Sequence, residues 1–294
     1  FVLLCAAFVF VMTPGLAMFY GGLVRKKNVV NTMMTSIFII GIGIVMWVLF
    51  GYSLSFAPSG NAFIGDFRWL GLEGVSLTEG YTDDASIPNM VFSAFQMMFA
   101  VITPALITGA VAGRMKFKSI FVFTIFWSLI VYYPLAHMVW GQGGLLGADG
   151  IGALDFAGGD VVHISSGVSA LVLCILLGKR HDYEHSIYRI HNIPTVVLGA
   201  SLLMFGWFGF NAGSALAADG LAAHAFMTTG VSAAAAMLSW MLCDVIKNKK
   251  PTLIGASTGM VAGLVGITPG AGFVPMWAAV IIGLTTSPVC YIMI

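Results

Sequence analysis

The chain has 294 residues, of which 59% are hydrophobic and 9% charged, and its net charge is +1. Ordinary globular chains carry about 25% charged residues, so this composition excludes a water-soluble protein, and the near-neutral charge argues against nucleic acid as a partner. Cys5, Cys174, Cys243 and Cys290 lie far apart in or beside apolar runs, lack metal-ligand spacing and read as small apolar filler.

Nine apolar runs with few or no charges are long enough to span a bilayer as helices. They cover roughly 1–24, 35–56, 88–113, 119–140, 155–178, 193–213, 221–243, 252–271 and 274–294. The first lacks a basic leading region and a clear cleavage site, so it reads as a true span and not a signal peptide. The eighth is the weakest, being Gly-rich (GASTGMVAGLVG). Phe1 and Ile294 both fall inside apolar runs, which predicts a fragment trimmed at both ends.

Connections alternate in charge. The first, third, fifth and seventh carry Arg25, Lys26 and Lys27; Arg114, Lys116 and Lys118; Lys179, Arg180 and Arg189; and Lys247, Lys249 and Lys250, which is all of the 13 Lys and Arg except Arg68. The excess of positive charge on cytoplasmic loops then places the N-terminus outside. The second connection, 57–87, is long and acidic and predicts an outer cap. WGQGGLLGADGIGAL, after the fourth span, is too Gly-rich to cross the membrane and reads as a loop at the outer mouth.

Small residues recur at helical spacing, as in Gly255, Gly259 and Gly263, and in Gly199, Ser201, Gly206 and Gly209; packing of close helices is the expected role. GLAMFYGGLV in the first span is echoed by FGWFGFNAGSA in the sixth. A unit of five spans repeated in one chain must be inserted in opposite orientations, as an inverted repeat.

No GxSxG, HExxH, Walker A or close Cys/His cluster is present, so neither an enzyme nor a cofactor is expected. The intramembrane polar residues are few: Gln96, His137, Asp155, Asp160, His163, Asn211 and Ser214, with His224 near an outer end. Such a list fits a narrow path for a small substrate. His163 lies in DFAGGDVVHISSGVS. On a helix starting at Asp155 it would sit about 12 Å into the layer, at about 1.5 Å per residue, on one row with Gly159 and Gly167. An ionisable group at that depth is read as functional. Asp155 reads first as a helix cap and also as a source of negative potential favouring a cation. Asp160 either benefits from the same helix dipole or faces a polar cavity or a subunit contact. Phe95 and Phe99 share a face of the third span. Trp207, Phe208 and Phe210 crowd the sixth, beside Ser214. Trp140 has two readings: an interfacial belt residue, or part of a cation–π site in which a ring face and a hydroxyl hold a small cation. His181, His185 and His191 lie in a basic loop and read as solvated.

MFYGGLVRKKNVVN, FQMMFA, AHMVWGQGGLL, ALDFAGGDVVHISSGVSALV, GWFGFNAGS and GMVAGLVGITPGAG resemble the Amt/Mep ammonium transporters, relatives of the Rh proteins. The resemblance runs end to end and is closest to the bacterial Amt type. It implies an all-α polytopic membrane protein, the 11-helix ammonium transporter fold with an inverted five-helix repeat, here truncated to nine transmembrane helices. Residues 1–294 would form one incomplete transporter domain, with helices one to five over about 1–178 and six to nine over about 193–294. Helices ten and eleven and a cytoplasmic tail would be missing. It also implies a homotrimer in the inner (cytoplasmic) membrane with a pore through each protomer.

By the same resemblance, Trp140, Ser214 and Phe99 form the outer ammonium-binding site. Phe99 and Phe210 form the pore gate, His163 lines the pore as the first of two histidines, and Asp155 is structural at the mouth. Ammonium would bind outside, deprotonate near the gate and cross as ammonia, with or without proton relay. The alternative is an ammonium sensor domain of a membrane receptor with a cytoplasmic signalling module. A water- or gas-conducting channel is a third reading. The family commonly binds PII-type regulatory proteins on its cytoplasmic face, for which Arg25 to Lys27 and the 179–192 loop offer surfaces.

Overall fold

The computed structural model describes residues 1–58, 61–148, 150–180, 183 and 188–294. Among the described residues, helices of membrane-spanning length and apolarity are α1 (Val2–Leu23), α2 (Lys26–Phe56), α3 (Asn89–Val111), α4 (Phe117–Trp140), α5 (Gly159–Leu177), α6 (Ile193–Gly213), α7 (Gly220–Asn248), α8 (Leu253–Gly270) and α9 (Met276–Met293). These are the nine expected spans, with three boundaries corrected. α2 starts at Lys26 and not near 35, through a 3₁₀ turn over Lys26–Asn28. α7 continues past 243 to Asn248 and ends where Lys249 turns left-handed at φ 64°. Charged residues are tolerated there because a helix need not stop where the lipid does. α5 begins at Gly159 and not at Asp155.

At three helix starts, side chains satisfy free N–H groups. Asn192 accepts from Thr195 N, Asp219 from Ala222 N, and Thr252 Oγ1 from Gly255 N. α1 and α6 approach until backbones touch. A Cβ on Gly199 would lie 2.3 Å from Phe19 N, and one on Gly206 or Gly209 would meet Phe8 O at 2.6 Å or Cys5 O at 2.8 Å. Ser201 does not belong to this row, for it is exposed, whereas Gly213, against Cys5, extends it. Gly255, Gly259 and Gly263 likewise let α8 lie on Trp240, Ala236 and Ser232 of α7.

Three turns follow a wider i→i+5 pattern: Trp47–Gly51 in α2, Ser128–Tyr132 in α4 and Gly159–Ile164 in α5. The first two abut, with a Cβ on Gly51 falling 2.7 Å from the Tyr133 ring.

The acidic second connection packs on one end of the bundle. Trp69 stacks on Tyr52 with centroids 5.4 Å apart, and Tyr81 on Phe92 at 4.8 Å. His137, fully buried near that end of α4, ties the connection to α2: Nδ1 lies 3.1 Å from Ser55 O of α2 and Nε2 3.0 Å from Asn61 O of the connection, and one of the two donates. Asp66 pairs with Arg68 at 2.6 Å, and the guanidinium holds the Asp66 carboxyl below its usual range.

Candidate functional site

Asp155 organises the start of α5. Its side chain is 9% exposed and accepts four backbone N–H bonds. Oδ1 takes Gly158 and Gly159 at 2.6 and 2.7 Å, and Oδ2 takes Asp160 and Val161 at 2.8 and 3.1 Å. These are the N–H groups that a helix start leaves without partners, and a carboxylate suits the positive end of the dipole. The Asp155 carbonyl also accepts from Trp140 Nε1 at 3.0 Å, so one residue fixes both the start of α5 and the indole of α4.

The i→i+5 turn follows directly. His163 N donates to Gly158 O at 3.0 Å, with Gly158 left-handed at φ 116°. Gly159 is pressed on Pro269 of α8, where a Cβ would lie 2.3 Å from Pro269 Cβ. Because α5 starts at Gly159, His163 lies about 6 Å along the helix, at about 1.5 Å per residue, and not about 12 Å. The expected row of Gly159, His163 and Gly167 is also broken: Gly159 is buried whereas Gly167 is exposed.

The imidazole stacks on Trp207 and Phe210, with centroids 5.3 and 5.9 Å away and planes 24° and 17° apart. Trp207 is locked by its Nε1 donating to Thr268 Oγ1 at 2.9 Å. His163 Nε2 is buried and has no hydrogen-bond partner among the described residues.

Two cavities adjoin these residues. One, of about 290 Å³, has Tyr81, Gln96, Phe99, Trp140, Asp155 and Ser214 in its wall. The other, of about 130 Å³, is bounded by Leu16, Tyr20, His163, Trp207, Phe210 and Val261, among other apolar side chains. Phe99 borders the first and Phe210 the second. Their rings meet with centroids 4.4 Å apart, and neither is more than 1% exposed. Phe99 also meets Trp140 edge-on at 6.1 Å and Phe95 at 4.9 Å. Ser214 Oγ donates to Phe210 O at 2.9 Å, which leaves its lone pairs for another donor.

Trp140, Ser214, Phe99 and Asp155 thus share one chamber, and Phe210 and His163 share the next. Phe208 is not with them: it stacks on Phe226 of α7 at 4.1 Å. His224 Nε2 bonds Val274 O at 2.8 Å, outside both cavities. Asp160 is half-buried. His181 and His185 lie outside the described residues, and His191 holds the chain by donating its N–H to Gly22 O and Val24 O, each at 3.1 Å. Sequence reasoning did not find Tyr81, Thr82, Phe156 and Leu216 in the first chamber, or Tyr20 and Val261 in the second. The former come from connections, where no periodicity marks a wall residue.

This is a polytopic helical membrane protein with two cavities beside an aromatic pair. The chain belongs to the Ammonium Transporter Family, whose sequence model matches residues 1–294. It is 53% identical over 291 residues to an ammonium transporter of Bacillus subtilis, covering 99% of this chain and 70% of that one. It is 44% identical over 308 residues to an ammonium transporter of Mycobacterium bovis, covering 98% of this chain and 65% of that one. The structure of Saccharomyces cerevisiae Mep2 superimposes with a TM-score of 0.90 at 39% identity, over 99% of this chain and 65% of that one. A structure described as a sensor Amt protein gives 0.89 at 29% identity, over 99% and 73%. The chain therefore spans about two thirds of the length of these relatives.

Proposed function

We propose that the chain carries ammonium across a membrane by binding the cation in the chamber walled by Trp140, Ser214 and Phe99 and passing ammonia beyond the Phe99–Phe210 gate. The observation that carries this is a chamber with polar groups beside an apolar one, with two rings in contact between them. Ring faces and a hydroxyl suit a small cation, whereas an apolar lumen is costly for a bare charge and cheap for a neutral molecule. His163 then borders the path of the neutral species and relays or hydrogen-bonds through its unpaired Nε2. Asp155 stays structural, since its oxygens are occupied by backbone N–H groups.

The reading is of a transporter rather than an enzyme. It is favoured over a sensor by the higher identity to a relative named a transporter, 53%, than to the sensor protein, 29%. The topology goes with it: N-terminus outside, basic loops in the cytoplasm, and a homotrimer in the cytoplasmic membrane. A PII-type protein docks on the basic loops; undiminished pull-down after Lys179 and Arg189 are changed to Glu would exclude those side chains.

The test of the transport reading is electrical. In cells or proteoliposomes carrying the protein, His163→Ala should abolish methylammonium-driven current, and unchanged currents would sink the relay. Trp140→Leu should relax discrimination among cations at the mouth, and identical selectivity would count against the recruitment chamber.

A further inference from the structure

We propose that Gln96 is an additional hydrogen-bond acceptor of the recruitment chamber and sets its preference for ammonium over methylated amines. The proposal rests on the recruitment reading above. Gln96 stands on α3 one helical turn from Phe99 and shares the chamber wall with Trp140 and Ser214. Its side chain is 8% exposed, yet Oε1 is buried with no hydrogen-bond partner among the described residues. A buried acceptor left unpaired is unfavourable, and the chamber whose wall Gln96 shares is a space from which a donor can reach it. An amide can present either its oxygen or its NH₂. Only the oxygen is stabilised by a cation, so an incoming ammonium selects that orientation.

The chamber then offers two ring faces, from Phe99 and Trp140, and two side-chain oxygens, from Ser214 and Gln96. Ammonium has N–H on every side and meets both oxygens in any orientation. Methylammonium must keep its methyl off both, which confines the methyl to the rings. A site built around hydrogen bonds discriminates against an analogue that lacks one of the donors. Removing the Gln96 oxygen therefore takes a bond from both cations, but only for methylammonium does it also lift a restriction on orientation that offsets the loss.

The experiment measures labelled methylammonium uptake and its inhibition by ammonium in cells carrying wild type, Gln96→Leu, Gln96→Met and Gln96→Glu. In both apolar variants the ammonium inhibition constant should rise about tenfold, the equivalent of one bond of about 1.4 kcal/mol. Methylammonium half-saturation should move about threefold or less, and Gln96→Glu, which keeps an oxygen acceptor, should retain the preference. The unbranched Gln96→Met, matched in length, separates loss of the oxygen from misfit of the branched Leu. A parallel shift of both substrates in the apolar variants, or loss of preference in Gln96→Glu, would overturn the assignment. Wild type without ammonium-sensitive methylammonium uptake would instead sink the recruitment reading itself.

Discussion

Asn in place of Asp155 keeps the size of the side chain and removes its charge and half of its acceptors. The carboxylate accepts four N–H bonds, two on each oxygen, at 2.6–3.1 Å. In Asp155→Asn one oxygen still receives two of them, while the new NH₂ faces the other two donors and can accept neither. Hydrogen bonds to a charged partner contribute about 1.5–3 kcal/mol each. Two lost bonds in this 9%-exposed position therefore cost about 3–6 kcal/mol, with the charge–dipole attraction, about 0.3–1 kcal/mol, lost in addition. The assay is thermal unfolding of the purified protein in detergent, followed by methylammonium uptake in membranes. A large loss of stability is expected, with Asp155→Ala at least as severe because every one of those N–H groups loses its acceptor. An Asp155→Asn protein as stable as wild type would refute the reading of this side chain as the clamp at the start of α5.

Gly199→Ala should prevent close packing of α1 on α6, because its Cβ would sit 2.3 Å from Phe19 N and 2.6 Å from Gly15 O, backbone atoms that cannot step aside. A cost of at least about 1–3 kcal/mol is expected as a fall in melting temperature. Gly41→Ala, with nothing within 4 Å, should be neutral or stabilising, helix interiors favouring Ala over Gly by up to about 1 kcal/mol; equal effects at the two sites would refute the packing argument. Phe210→Ala should open a connection between the chambers and change methylammonium uptake, whereas Phe208→Ala, on the face toward Phe226, should leave uptake per folded molecule unchanged. The reverse order would reassign the gate.

Apolar run length and loop charge made the span number and order readable, because lipid imposes one solution on the backbone of any long apolar segment. The α1–α6 contact was foreshadowed by Gly199, Gly206 and Gly209, since only small residues permit such approach. Ser201 misled because spacing alone does not say which residues of a small-residue run face the partner. Phe208 misled similarly: it neighbours Trp207 and Phe210 in sequence, but a helix turns about 100° per residue. The start of α5 was missed because the apolar run and the helix are not the same object. Asp155, Phe156 and Ala157 belong to the run, but a carboxylate that reaches forward to four N–H groups must stand outside the first turn. The chamber wall at Tyr81 and Leu216 depends on how the connections fold back, which no local pattern encodes.

The wide turn at Gly159–Ile164 has a consequence for how the protein tolerates change. A turn that holds an extra residue absorbs it, because the amide of His163 already meets Gly158 O across five positions. Deleting a single residue between Gly159 and Val162 would let the same donor and acceptor close as an ordinary i→i+4 bond without breaking the helix. With Gly159 held against Pro269, the ring of His163 would keep its bearing on Trp207 and Phe210. Here the aim of a side chain is set by the carbonyl its amide meets and not by the count of residues behind it, so the helix could lose a residue without misdirecting the one imidazole it carries.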